Sequence, residues 1–172
     1  VDVAQGRGAV RAWVDIQRAR VIAATADIAL ADVSVRVDPK LAPLELASLS
    51  GRLGAKFLPD GFEFATQDLA ITTADAVRWP GGNLSLTQRD AVGGKGATGE
   101  LSADRLDLAA LAQIAGRLPL GAALHQALVR HRPGGLIERV KLGWQGSLDK
   151  PEHVQAQGRV TRLTLASVPD DS

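Results

Sequence analysis

The sequence predicts a mainly β protein: a large curved antiparallel sheet, an open groove or partly closed, carrying one packed helix pair. Three observations predict it. Apolar and polar residues alternate with a period of two over most of the 172 residues, as in strands with one dry and one wet face. Turn formers, Pro59-Asp60-Gly61 the clearest, interrupt these runs. One stretch alone, at about residues 107–132, changes to a helical period.

Residues 8–18 form the first expected strand. Val10, Ala12, Val14 and Ile16 point one way, and Arg11, Trp13, Asp15 and Gln17 the other. Trp13 is the exception on the polar side. After a turn at Gln17-Arg18-Ala19, Ile22, Ala24, Ala26, Ile28 and Leu30 continue an apolar face. Val33, Val35 and Val37 then follow in the opposite parity, so a bulge or bend is expected near Ala31-Asp32. Pro39 and Pro43 mark a loop, because proline cannot donate to a ladder.

Residues 46–57 read as a third strand, with Leu49, Leu53, Ala55 and Phe57 opposite in parity to Ser48, Ser50, Arg52 and Lys56. Across the Pro59-Asp60-Gly61 turn, Phe62-Glu63-Phe64 starts a return strand that Leu69 and Ile71 extend. Two short runs follow, Val77 with Trp79 and Leu84 with Leu86. Gly93-Gly94-Lys95-Gly96 reads as a loop tip. It lacks the spacing and the strand-then-helix setting of a phosphate loop.

Residues 99–104 alternate like the end of a strand, and the period changes at Asp107, a suitable N-cap. Leu108, Leu111, Ala112 and Ala115 share one helical face, and Gly116 with Leu118-Pro119-Leu120 turns the chain. Leu120, Leu124, Ala127 and Leu128 share a second face. Arg130, His131 and Arg132 suit the negative end of a helix dipole. Two strands close the chain: Val140, Leu142 and Trp144 in one, Val154, Ala156 and Val160 in the other, with a parity flip at Leu163 and Leu165. Residues 1–168 thus read as a single β-rich segment and 169–172 as a disordered tail.

Composition bounds the function. Hydrophobic residues make up 45% of the chain and aromatics 3%, so the core is built of Val, Leu, Ile and Ala. A net charge of +1, from 20 basic and 19 acidic side chains, lacks the basic excess of a nucleic-acid binder. With no Cys, disulfides and thiolate metal sites are excluded. No apolar run approaches the ~20 residues of a membrane span. The chain begins at Val1-Asp2-Val3 without Met, which predicts a piece of a longer protein.

No catalytic constellation emerges. His125 and His131 lie six apart on a helix, and neither they nor His153 have partners that complete a metal set. The serines lack a nucleophile elbow. Asp15, Asp27, Asp32, Glu63, Asp68, Glu100 and Asp104 are scattered, and solvated strand faces explain them. No cofactor is called for. The remaining feature is the apolar face itself, which either folds into a closed core or stays partly uncovered as a greasy groove.

Several stretches resemble the large AsmA-like proteins of the YhdP type from Gram-negative bacteria. They are residues 6–13 (GRGAVRAW), 26–33 (ADIALADV), 49–53 (LSGRL) and 79–86 (WPGGNLSL). The series continues with 101–108 (LSADRLDL) through Leu118-Pro119-Leu120, and with 144–148 (WQGSL). The resemblance covers most of the chain and carries no catalytic residue. It implies a segment of an inner-membrane-anchored protein whose bulk lies in the periplasm and which bridges toward the outer membrane. In such a protein an apolar sheet face conducts phospholipid acyl chains.

The expected function is therefore non-enzymatic lipid binding. The candidate groove face is Val10, Ala12, Val14, Ile16, Ile22, Ala24, Ala26, Ile28, Leu49, Leu53 and Phe57. Expected partners are phospholipid acyl chains and neighbouring β segments of the same parent protein, with strand-edge self-association of the isolated fragment and no nucleic acid. Two rivals stand beside this: a closed structural or protein-interaction domain of the envelope, and a carboxylate-based hydrolase of envelope polymers.

Overall fold

The computed structural model describes residues 2–36, 39–79, 81–117, 122–147 and 150–164, with side chains for all of these except 2–5, 122–124 and 127. The strands are β1 (Asp2–Gln17), β2 (Arg20–Arg36), β3 (Leu44–Leu58), β4 (Gly61–Thr73), β5 (Arg78–Trp79), β6 (Leu84–Arg89), β7 (Thr98–Asp107), β8 (Gly134–Ser147) and β9 (Lys150–Thr164). The helices α1 (Leu108–Ile114) and α2 (Ala122–His131) lie between β7 and β8, and a 3₁₀ turn at Ala115–Arg117 follows α1. Every pairing is antiparallel, in the order β1-β2-β3-β4-β6-β7-β8-β9, with β5 added to the end of β4. The sheet does not close, because β1 and β9 each pair on one side only.

The first strand begins at Asp2 rather than at residue 8, the third spans Leu44–Leu58 rather than 46–57, and the second, Arg20–Arg36, runs about as far as the alternation suggested. Bulges keep such long strands usable. Asp32, Asp68, Arg139, His153 and Arg162 sit at positive φ (53°, 49°, 53°, 45° and 54°), where the ladder registers slip. A bulge inserts an unpaired residue, bends its strand and changes which parity faces inward. The parity switch expected near Ala31-Asp32 is this first bulge, and it lets Leu30 and Val33 serve one core. Asp32 itself points away from that core and pairs with Arg7 of the neighbouring strand.

The topology separates two rims. The direct connections β1–β2, β3–β4, β6–β7 and β8–β9 all fall on one rim; the β2–β3 connection, the β5 detour and both helices fall on the other. On the helix rim the ladder between β4 and β6 stops at Thr66 and Leu84, and beyond it β4 pairs with β5 instead. On the same rim α1 lies against β7 and β8. Its Ala110 and Ile114 join Val33, Leu44, Leu46 and Val77 in the buried core, with Leu30, Val35, Leu49, Ile71 and Trp79 packed around it. Asp107 caps α1 as expected, accepting a 3.0 Å bond from the Ala110 amide.

The expected face of α1 needs correction. Ala110, Ile114 and Ala115 are buried, whereas Leu108, Leu111 and Ala112 are only half-buried. The short alanine at 110 lets the helix backbone approach the sheet, so the deepest stripe is Ala110–Ile114. Leu128 of α2 is buried, and Arg130 and His131 occupy its last turn. The expectations for Val37, the turn at residues 118–120, the side chains of Leu124 and Ala127, Leu165 and the 169–172 tail lie outside the described residues.

Candidate lipid-binding face

Register turns separate strand patterns into one surface. Val14 faces Ala24, which faces Ala55, then Phe64, Leu86, Leu101, Leu142 and Ala156: eight apolar residues, one from each strand of the main path. At ~4.8 Å per strand this row is ~34 Å long. A parallel row runs Ala12, Ala26, Leu53, Thr66, Leu84, Ala103 and Val140. Its one polar member is neutralised: the Thr66 hydroxyl donates to the Gly82 carbonyl (3.4 Å) and accepts from the Leu84 amide (3.1 Å).

A third row, toward the hairpin rim, runs Phe57, Phe62, Gln88, Gly99 and Trp144. Gln88 is buried, yet its amide is fully used. It donates to the carbonyls of Arg89 (3.1 Å) and Gly146 (3.2 Å) and accepts from the Trp144 indole N–H (3.3 Å). A satisfied amide costs little in an apolar setting, where an unsatisfied one is expensive.

The opposite face carries most of the polar and charged side chains. One of its rows is Trp13, Thr25, Gly54, Ala65, Ser85, Ser102, Lys141 and Gln157, in which the Ser85 and Ser102 hydroxyls share a 2.7 Å bond. Beside it the Arg52 guanidinium holds Asp27 with two bonds of 2.6 and 3.0 Å. These bonds lower the Asp27 pKa below the usual carboxylate range. The sheet is thus amphipathic across its whole width.

The eleven residues singled out from the sequence fall on the apolar face in very different surroundings. Val10 (59% exposed), Val14 (51%), Ile16 (66%), Ile22 (39%) and Phe57 (53%) are open to solvent, and so is Ala12. Ala24, Ala26, Ile28 and Leu53 are half-buried, and Leu49 packs on the helix-rim core. The sequence reading omitted the other half of the face: Phe62, Phe64, Leu84, Leu86, Leu101, Val140, Leu142 and Trp144. Their alternation was visible, but only the pairing register shows that they continue the same rows.

The outer face also holds a cleft where β4 and β6 part, lined by Gln67, Asp68, Asn83, Ser85, Ser102, Asp104, Arg139 and Lys141. Its polar groups serve the seam. The Asn83 side-chain carbonyl accepts from the Asp68 amide, and the Asp104 carboxylate accepts from the Asn83 amide, both at 3.1 Å. Among the described residues there is no group of three or more His, Cys, Asp or Glu able to hold a metal ion, and no helix is long and apolar enough to cross a membrane.

A protein-family model described as YhdP protein matches residues 1–170. No curated protein and no solved structure matches the chain.

Proposed function

The chain belongs to the YhdP family, and from that premise we propose that it is a non-enzymatic, lipid-binding section of an inner-membrane-anchored periplasmic bridge that carries phospholipids toward the outer membrane. The observation that carries this reading is the row from Val14 to Ala156. It is apolar on all eight strands, and among the described residues no second layer covers its β1–β3 part, where large side chains stay open to solvent. Acyl chains laid on such a face lose water contact at ~0.8 kcal/mol per CH₂, while a headgroup remains hydrated. The rows run across the strands, so a chain sliding along them passes from one hairpin to the next without meeting a polar barrier. Neighbouring β segments of the parent protein extend the same surface by pairing with the free edges of β1 and β9.

Neither rival draws comparable support. A closed domain needs a layer over Val10, Val14, Ile16 and Phe57. A hydrolase would draw on Asp68 and Asp104, but the cleft they line is organised around the Asn83 bridge that ties β4 to β7. Native mass spectrometry of the purified chain tests the proposal. Adducts with the masses of intact phospholipids are expected, and their absence after purification without detergent from a phospholipid-rich envelope would overturn it.

A further inference from the structure

The two rims differ in what they leave open, and from this we infer which side of the sheet carries the lipid headgroups. The inference rests on the lipid-binding reading above. On the helix rim the apolar face is sealed: Val33, Leu44, Leu46 and Val77 lie buried beneath Ala110 and Ile114. Toward the hairpin rim it stays open on β1–β3 and β9, while Gln88 and Trp144 between them are buried. Ile16, Val21, Ile22, Phe57 and Val154 are all exposed, and β1 and β2 bulge there so that Val21 lies opposite Ile16. A two-chain amphiphile can therefore enter and sit with its tails on the central rows only if its polar end projects at the hairpin rim.

That rim has the charge to receive a phosphate. Arg18 and Arg20 flank the β1–β2 turn, Lys95 stands in the β6–β7 connection, and Lys150 begins β9. All four are exposed, and none makes an ion pair among the described residues. Of the acids nearby, Asp60 and Glu63 are both bonded to Arg89, whereas Asp15, Asp90, Glu100 and Glu152 make no ion pair among the described residues and stand interspersed with these cations. Arg18 is held at positive φ (50°), which fixes the tight turn that brings it near Arg20. Cations spaced along the rim above an apolar floor match a file of phosphate headgroups: tails inward on the rows, phosphates outward on the hairpin ends. The helix rim also carries arginines, Arg36, Arg78, Arg130 and Arg132, but they stand beyond a face that α1 has already covered.

The test uses the whole chain and two photoreactive phosphatidylglycerols, one labelled on the headgroup and one at the acyl terminus. The acyl probe is expected to crosslink to Val14, Leu86 and Leu101, and the headgroup probe to the segments around Arg18–Arg20, Lys95 and Lys150. Headgroup crosslinks at Arg78, Arg130 or Arg132 would overturn the rim assignment and leave the lipid reading standing. An acyl probe that labels none of the central rows would overturn both. In a second measurement, the variant R18E/R20E/K95E/K150E should lose about three- to tenfold of the preference for phosphatidylglycerol over diacylglycerol, at unchanged circular dichroism. Exposed charges of this kind act weakly one by one and more strongly as a set. An unchanged preference would count against the inference even if both lipids still bind.

Discussion

The indole of Trp144 occupies the space beside Gly99 that a side chain at position 99 would need. Trp144 is 8% exposed, and its indole N–H donates to the Gln88 side-chain carbonyl. Gly99→Ala should push the ring off this seat and destabilise the chain by about 1–3 kcal/mol, as overpacking does. Urea melts measure this. Trp144→Leu in the same chain should recover part of the Gly99→Ala loss, giving non-additivity between residues in contact.

The depth of Ile114 gives the second expectation. It is 6% exposed at the centre of the helix-rim core, so Ile114→Ala should cost about 2–5 kcal/mol. Gln113, exposed on the same helix, should tolerate Ala within about 0.5 kcal/mol. Leu111→Ala should fall between them. Equal losses at 113 and 114 would mean that α1 does not seat as described.

Charge on the apolar face separates open surface from core. Val33, at 1% exposure, cannot accept Asp without burying an unpaired carboxylate, and Val33→Asp should unfold the chain. Val14 is half exposed, and Val14→Asp should keep its circular dichroism while losing phospholipid co-purification; Ile16→Asp should behave alike. If Val14→Asp unfolds the chain, the face is covered in solution.

Edges carry the fourth expectation. β1 and β9 each present a run of unpaired backbone donors and acceptors, and the described side chains of both are almost all exposed. Such edges template further pairing. Sedimentation velocity should show reversible association that grows with concentration. A clean monomer at high concentration would argue for edges protected by other means.

The Arg52–Asp27 pair predicts a modest acid response. The folded state lowers the Asp27 pKa, chiefly through hydrogen bonds from Arg52, so the unfolded chain binds its proton more readily. The stabilisation is present above the ordinary carboxylate range and disappears as pH falls through the depressed folded value. Asp27→Asn should therefore lower the melting temperature at neutral pH and make little difference in strong acid. Both side chains are exposed, so the neutral-pH effect should be small and should shrink with added salt.

Much of the fold was legible because strand faces are written locally. The even positions from Val10 to Ile16, the parity switch at Asp32 and the Asp107 cap each depend on neighbours within a few residues. The seating of α1 was not legible. In Leu108-Ala109-Ala110-Leu111-Ala112 several helical faces are nearly equivalent in hydrophobicity, and the choice falls to whichever small residue lets the helix settle deepest, which is a property of the sheet beneath. The central rows were hidden for a related reason. Leu86 and Leu101 are unremarkable in their own strands and gain meaning only when the register sets them side by side. Nothing local marks Gln88, and only the three-dimensional arrangement shows it as the acceptor for Trp144.

The strict neighbour-to-neighbour pairing has a further consequence. Apart from the helices at one rim, the described strands pair only with those beside them, so the sheet resembles a one-dimensional array whose stability is summed link by link. Opening then proceeds from the ends. Amide protons of β1 and β9 should exchange through local fraying, long before those of β4, β6 and β7, which open only when both flanks have gone. Heating should therefore give a broad succession of steps, in which the strands of the middle outlast the outermost hairpins.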